Sequence, residues 1–333
     1  MDKYDPAPIA KSQAFREWLG ASNGEVIVFD LLGHGEYNLN YTFSSPSGCD
    51  LMVLRIPMGS QMHLDNQVRY EFEALRLLEP SGRTPKPLYI DDTKTVIPYG
   101  FLVMEFLPGR ALDYDLDLAN AAACMADVHN LELPAKNHLI APQNPLAAVL
   151  DECHAMVSHY MKSDLASTES KKLLSDLLKR GNILIERAKG ADARCLVNTE
   201  LNSRNFLVNE QSTTYLVDWE KPLFACPGQD LGHFLAPTTT LWKTDTILTD
   251  EQIHRFLKHY CDNSTRYSEP EELWADTLPF LSMTCLRGVT WCAMAWVEYQ
   301  SPDRMLKDSY TYEKIVYYIT PEFLERLGRD YLS

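Results

Sequence analysis

The sequence predicts an α+β fold of two lobes: a β-rich N-terminal lobe over residues 1–106 and a mainly helical C-terminal lobe over 107–333. Three observations carry this. Short apolar-alternating stretches crowd the first hundred residues around one long helical pattern. Beyond "LPGRAL" (107–112) the apolar spacing becomes that of helices. One strand–loop–strand segment, residues 196–222, interrupts the helical part.

In order, the polar start "MDKYDPAPIAKSQ" has no signal-peptide apolar region and reads as frayed to about Lys11. "EVIVFDLL" (25–32) alternates as a strand does, "GHGEYN" breaks it, and "LNYTFSS" resumes it. After the turn at "GCD", "LMVLRIP" (51–57) is another strand. Val68, Phe72, Leu75 and Leu78 fall at helical spacing, and Pro80 and Gly82 stop the helix. "KPLYIDD" and "GFLVMEFL" read as two further strands. The helical patterns of the second lobe cover 117–132, 144–163, 166–190 and 250–261, and helix continues toward the end.

A chain of 333 residues with 45% apolar and 23% charged side chains can bury a large core. No apolar run approaches membrane-span length, so no membrane partner is expected. The eight cysteines form no CxxC pair, which argues against zinc and for reduced, buried thiols in the cytoplasm. A formal charge of −15 argues against a nucleic-acid partner. It mildly favours cationic small substrates, although an acidic balance also serves solubility alone.

The stretch "LVNTELNSRNFLVNEQSTTYLVDWEKP" (196–222) carries the chemistry. Phosphoryl transfer needs hard oxygen ligands for Mg²⁺, a cation on the phosphates and a carboxylate that orients the attacking hydroxyl. Glu200 and Asn205 stand five apart, the spacing of base and metal-binding Asn in a kinase catalytic loop, and Asp218 follows a strand, as a second metal ligand does. An ordinary hairpin with polar ends is the alternative.

On these residues the chain resembles the aminoglycoside phosphotransferase and choline kinase group of the protein-kinase-like superfamily. That group carries H-x-D-x-x-x-x-N followed by I-D-[WF]-E, which "NTELNSRN" and "VDWE" match in position. The resemblance implies a two-lobed protein-kinase-like fold, ATP and Mg²⁺ as cofactors, Asn205 and Asp218 as metal ligands and Glu200 as the hydroxyl-orienting base. "GHGEYNLNY" (33–41) is similar to the group's phosphate loop, which puts Gly33 and Gly35 near phosphate, the alternative being a hairpin bend. In "VLRIP", Val53 would lie over adenine, and Arg55 would replace the phosphate-binding Lys, unless it is merely an exposed strand residue. Glu71 would pair with Arg55, with Glu73 the competing choice. "FLVMEFLPG" (101–109) is similar to the hinge, where backbone at Glu105 and Leu107 would meet adenine. Asp230 reads as a residue that caps and orients its helix, and His129 as a packed histidine.

Two departures from the pattern stand out. The group's loop His is Asn198 here, which can still donate and accept. The group's Asp is Glu200. As bases the two differ little, but one methylene moves the carboxylate by roughly 1 Å, a displacement that can cost on the order of 10²-fold in rate. The expected function is ATP- and Mg²⁺-dependent phosphorylation of a hydroxyl on a small acceptor, with a cationic one mildly favoured by the acidic charge. The alternative is a catalytically silent or weak nucleotide-binding module. For the acceptor, Glu220 is one candidate contact. Trp291 and Trp296, with Glu298 and Tyr299, are others, against the plainer reading that this helix face is core.

Overall fold

The computed structural model describes residues 5–34, 38–46, 48, 50–60, 62–188, 194–210, 213–300 and 309–332. In chain order, helices α1 (Ala7–Lys11) and α2 (Gln13–Leu19) precede strands β1 (Asp30–His34), β2 (Asn38–Ser44) and β3 (Leu51–Pro57). Helix α3 (Gln67–Leu78) is followed by β4 (Pro87–Asp91), β5 (Phe101–Glu105) and β6 (Arg110–Ala111). Then come α4 (Leu118–His129), α5 (Pro145–Lys162), α6 (Thr168–Arg187), β7 (Cys195–Val197), β8 (Phe206–Val208), β9 (Thr214–Leu216) and β10 (Leu223–Ala225). The chain ends in α7 (Pro227–Leu235), α8 (Pro237–Lys243), α9 (Asp250–Asn263), α10 (Pro270–Tyr299), α11 (Ser309–Tyr318) and α12 (Pro321–Asp330). Two compact units form. Unit one holds residues 1–111, 131–139 and 206–222, and unit two holds the rest. Unit one thus extends beyond the boundary expected at 106 and takes in two later segments.

Unit one is built on an antiparallel sheet of order β1-β2-β3-β5-β4. The central β3 is buried from Met52 to Pro57, as a strand covered on both faces must be. Helix α3 matches its sequence signals: the Asn66 side chain accepts from the Arg69 N–H at 3.2 Å, and Gly82 at φ 65° ends the following turn. Val68, Phe72, Leu75 and Leu78 are its buried face.

Residues 7–11, expected to be frayed, form helix. Isolated helices as short as α1 and α2 have no stability of their own, but Ile9 and Phe15 are fully buried in one cluster with Phe43, Leu54 and Phe101. Phe15 lies 5.8 Å from both Phe43 and Tyr89, ring to ring. Aromatic burial of this size holds helices that propensity would not. The strand expected over 25–32 starts only at Asp30. Its alternation is real, since Ile27 and Phe29 pack on the core while Val26 and Val28 are exposed, but residues 25–29 have no ladder partner.

The expected strand–loop–strand segment is divided between the units. Strands β8 and β9 form a hairpin, Phe206 opposite Leu216, joined by β6 in unit one. Strand β7 pairs instead with β10, Val197 opposite Leu223, in unit two.

Unit two is helical around α10, thirty residues long, against which α5 and α7 pack. This helix is long and apolar enough by composition to cross a membrane, yet 61% of its most apolar window is buried in the protein. Helix α7 approaches it through Gly232, where a Cβ would meet the Leu281 nitrogen at 2.5 Å. Seven cysteines are free and buried, and Cys49 lies outside the described residues. Because backbone rather than a flexible side chain blocks that approach, Gly232→Ala should destabilise the protein by about 1–3 kcal/mol, read as a lower urea midpoint with an unchanged m-value. A wild-type midpoint would show that the α7–α10 contact yields.

Candidate functional site

In unit one, Arg55 stands on β3 opposite Asn40 on β2 and Leu102 on β5, with a side chain only 4% exposed. Three carboxylates answer it. Its Nε meets Glu71 Oε1 of α3 at 2.8 Å. Its Nη2 donates to Asp218 Oδ1 at 2.7 Å and to Glu220 Oε2 at 3.3 Å. Glu220 also accepts from the Asn38 side-chain amide, and its carbonyl accepts from Gln67 Nε2 at 2.6 Å. Tyr70 donates to the Pro222 carbonyl at 2.6 Å, so α3 pins the whole 220–222 segment. Burial works against the Arg55 charge, but the three carboxylates outweigh it and its pKa is raised. Burial pushes the Glu71 carboxyl above its ordinary range, against the pull of Arg55. Asp218, at φ 65°, holds a left-handed conformation that Asp tolerates better than most residues.

In unit two, the loop after β7 is fixed by its backbone. The buried Asp230 of α7 accepts from the N–H groups of Asn198 and Thr199, each at 2.7 Å. Asn198 Oδ1 accepts from the Glu200 N–H at 3.0 Å, and His233 Nδ1 from the Leu201 N–H at 3.1 Å. Asn205 Nδ2 donates to the Glu200 carbonyl at 2.7 Å. These bonds hold Thr199 at φ 72°, a conformation a β-branched residue adopts only under constraint. Behind the loop, Asp230 Oδ2 lies 3.2 Å from His129 Nε2, and His129 Nδ1 lies 2.9 Å from the Tyr260 hydroxyl. The Glu200 carboxylate itself faces Arg287 of α10, Oε1 to Nη2 at 3.8 Å, and Arg287 Nε donates to Glu152 of α5 at 2.9 Å.

As the sequence reading expected, Glu71 rather than Glu73 pairs with Arg55, which is buried and not, as the alternative had it, an exposed strand residue. Val53 is buried opposite Met104. Gly33 lies in β1 beside a bulge with open space over its Cα, and Gly35 lies outside the described residues. Glu105 ends β5 opposite Met52, its N–H bonded to the Lys86 carbonyl at 2.9 Å, and the Leu107 side chain is buried. Glu220 is drawn into the Arg55 cluster instead of facing an acceptor, because a buried guanidinium must be answered. Asp230 holds the 198–199 loop rather than capping α7, and His129 is packed as expected. Trp291 packs edge-on against Trp242 at 5.3 Å and Trp296 against Tyr160 at 5.5 Å, and Tyr299 is buried: this face of α10 is packing. Sequence reasoning missed Arg287, Glu152 and Asn38. None sits in a recognisable spacing, and each meets its partner across 87 to 182 residues, which no local pattern reports.

The profile of the phosphotransferase enzyme family (APH) matches residues 29–273. The chain belongs to that family, the group of aminoglycoside phosphotransferases and choline kinases. A comparison with curated proteins finds no match. Among solved structures, choline kinase from Cryptosporidium parvum is similar at 12% identity over 93% of each chain, TM-score 0.65. Choline kinase from Streptococcus pneumoniae is similar at 19% identity, covering 94% of this chain and 98% of the other, TM-score 0.59. A spectinomycin phosphotransferase solved with ADP and spectinomycin is similar at 12% identity over 92% and 93%, TM-score 0.63. The fold is therefore protein-kinase-like, and the family one of small-molecule phosphotransferases.

Burial and the neighbouring Arg287 cation together lower the His233 pKa from its usual value to about 4, so the ring is a neutral imidazole, with Nδ1 3.1 Å from the Leu201 nitrogen and 3.2 Å from its carbonyl oxygen. An unfolded histidine takes up its proton near pH 6.5. Between those two values the unfolded chain binds more protons, so stability should fall as pH drops from about 6.5 toward 4. Thermal unfolding scans should show this loss in wild type and a flatter profile in His233→Gln; identical slopes would exclude the effect.

Proposed function

We propose that the chain transfers the γ-phosphoryl group of ATP, with Mg²⁺, to a hydroxyl of a small acceptor. The observation that carries this is the buried Arg55 held between Glu71 and Asp218. A planar, permanently charged guanidinium suits phosphate, and Glu71 keeps it aimed. The ADP of the spectinomycin phosphotransferase supports a nucleotide here. In this reading the backbone at Glu105 and Leu107 meets the adenine, and Gly33 and Gly35 belong to the phosphate loop.

In this reading Asp218 and Asn205 are the residues that would supply oxygens to Mg²⁺. Three carboxylates around one guanidinium leave a formal −2, and the Asp218 side chain keeps 34% of its surface exposed. Asn205 spends its amide nitrogen on the Glu200 carbonyl, which leaves the amide oxygen as its ligating atom. Mg²⁺ takes one or two protein oxygens and completes its shell from phosphates and water. When bound, the ion would offset the charge that develops on the phosphate oxygens. Glu200 orients the acceptor hydroxyl and takes its proton as the oxygen attacks phosphorus and ADP departs.

The acceptor is small and hydroxylated, and the choline kinases among the similar structures, with the net charge of −15, support one that carries a cation. Calorimetric titration of ATP with and without Mg²⁺ tests the nucleotide site: wild type should bind, and Asp218→Asn should lose the Mg²⁺-dependent part. No nucleotide binding by folded wild type would refute the proposal. Glu200→Gln should bind nucleotide as wild type does and transfer phosphate on the order of 10²–10⁴-fold more slowly, followed by release of ADP. Full activity in that variant would remove Glu200 from the chemistry.

A further inference from the structure

The Asp-to-Glu change leaves a physical problem. The backbone of residues 198–201 is fixed at five points, by Asp230 twice, Asn198, His233 and Asn205. Those bonds set where the Glu200 Cα sits and say nothing about where its carboxylate points. Glutamate has one more rotatable bond than aspartate, so a fixed backbone leaves its oxygens more freedom to miss the reacting hydroxyl. Something beyond the loop has to hold them.

We propose that Arg287 is the positioning residue for Glu200, and that Glu152 sets how hard it pulls. The assignment rests on the phosphotransfer reading of Glu200. Arg287 stands on α10, the central helix of unit two, flanked by the buried Leu286 and by Gly288, whose Cα lies against Thr238. Its side chain is only 23% exposed, so its stem is packed and its head has little choice of direction. The head lies between two carboxylates at unequal distances: 2.9 Å to Glu152 Oε2 and 3.8 Å to Glu200 Oε1. The tight pair anchors the guanidinium on α5. The looser one draws Glu200 toward the cation without the two parallel bonds of a bidentate pair. Burial works against the Arg287 charge, Glu152 and Glu200 outweigh it, and its pKa is raised, so the cation persists at any working pH.

The inference separates from a merely structural role by where the loss falls. Arg287→Met should lower kcat on the order of 10-fold to 10²-fold, the scale of a misplacement of about 1 Å, with the nucleotide KM within about twofold of wild type. Arg287→Lys should recover part of the loss, and added guanidinium ion should rescue Arg287→Ala but not Glu200→Gln. The double variant Arg287→Met/Glu200→Gln should be no slower than Glu200→Gln alone, because Arg287 acts through that side chain. Wild-type kcat in Arg287→Met, or additive losses in the double variant, would overturn the proposal. If wild type binds nucleotide yet transfers phosphate to no acceptor and not to water, the phosphotransfer reading fails by itself. The pairing is then decided by thermal midpoints of the four proteins of that cycle: non-additive shifts uphold it and additive shifts refute it.

Discussion

Unit one depends on one requirement: the Arg55 guanidinium, buried in the centre of a sheet, must be answered by negative charge. An unpaired charge there would cost several kcal/mol. The sheet cannot supply the counter-charge, because the neighbouring β2 and β5 positions are Asn40 and Leu102. It comes from α3 through Glu71 and from residues more than 160 positions away, Asp218 and Glu220. That need explains why a segment so distant in sequence folds with the N-terminal sheet. Once Glu220 is held, Gln67 and Tyr70 tie down the backbone behind it, and the unit closes.

The loop of unit two solves a similar problem by other means. Asp230 is fully buried, and its partners are two backbone N–H groups and a histidine rather than an arginine. Hydrogen bonds from backbone N–H groups satisfy a carboxylate and also fix a backbone conformation. The strain at Thr199 is the local cost, and it delivers Glu200 at a defined place. The two devices fix different things: one holds a guanidinium inside a sheet, and the other holds a main chain from which an acid side chain projects.

Much of this was legible in the sequence. Helix α3 announced itself through Val68, Phe72, Leu75 and Leu78 because a helix buried on one face must repeat its apolar residues every three or four positions. The spacing of Glu200, Asn205 and Asp218 pointed to the family that the profile matches, because such short separations along one loop and one hairpin can be read locally. Residues 5–11 were misread for the opposite reason. Short polar segments carry no periodic signal, and their helices exist only because Ile9 and Phe15 find an aromatic core made elsewhere.

The sequence by itself determined the α+β class, the order of most elements and the identity of the charged residues in the loop and on β3, all of which follow from local periodicity and spacing. Only the tertiary structure decided which further charges meet: that Arg55 is buried, that Glu220 turns to the same cation, and that Arg287 faces Glu200. Each of those pairs is set by packing between elements far apart in the chain. The energy that selects them arises only on burial, so no stretch of sequence read alone contains it.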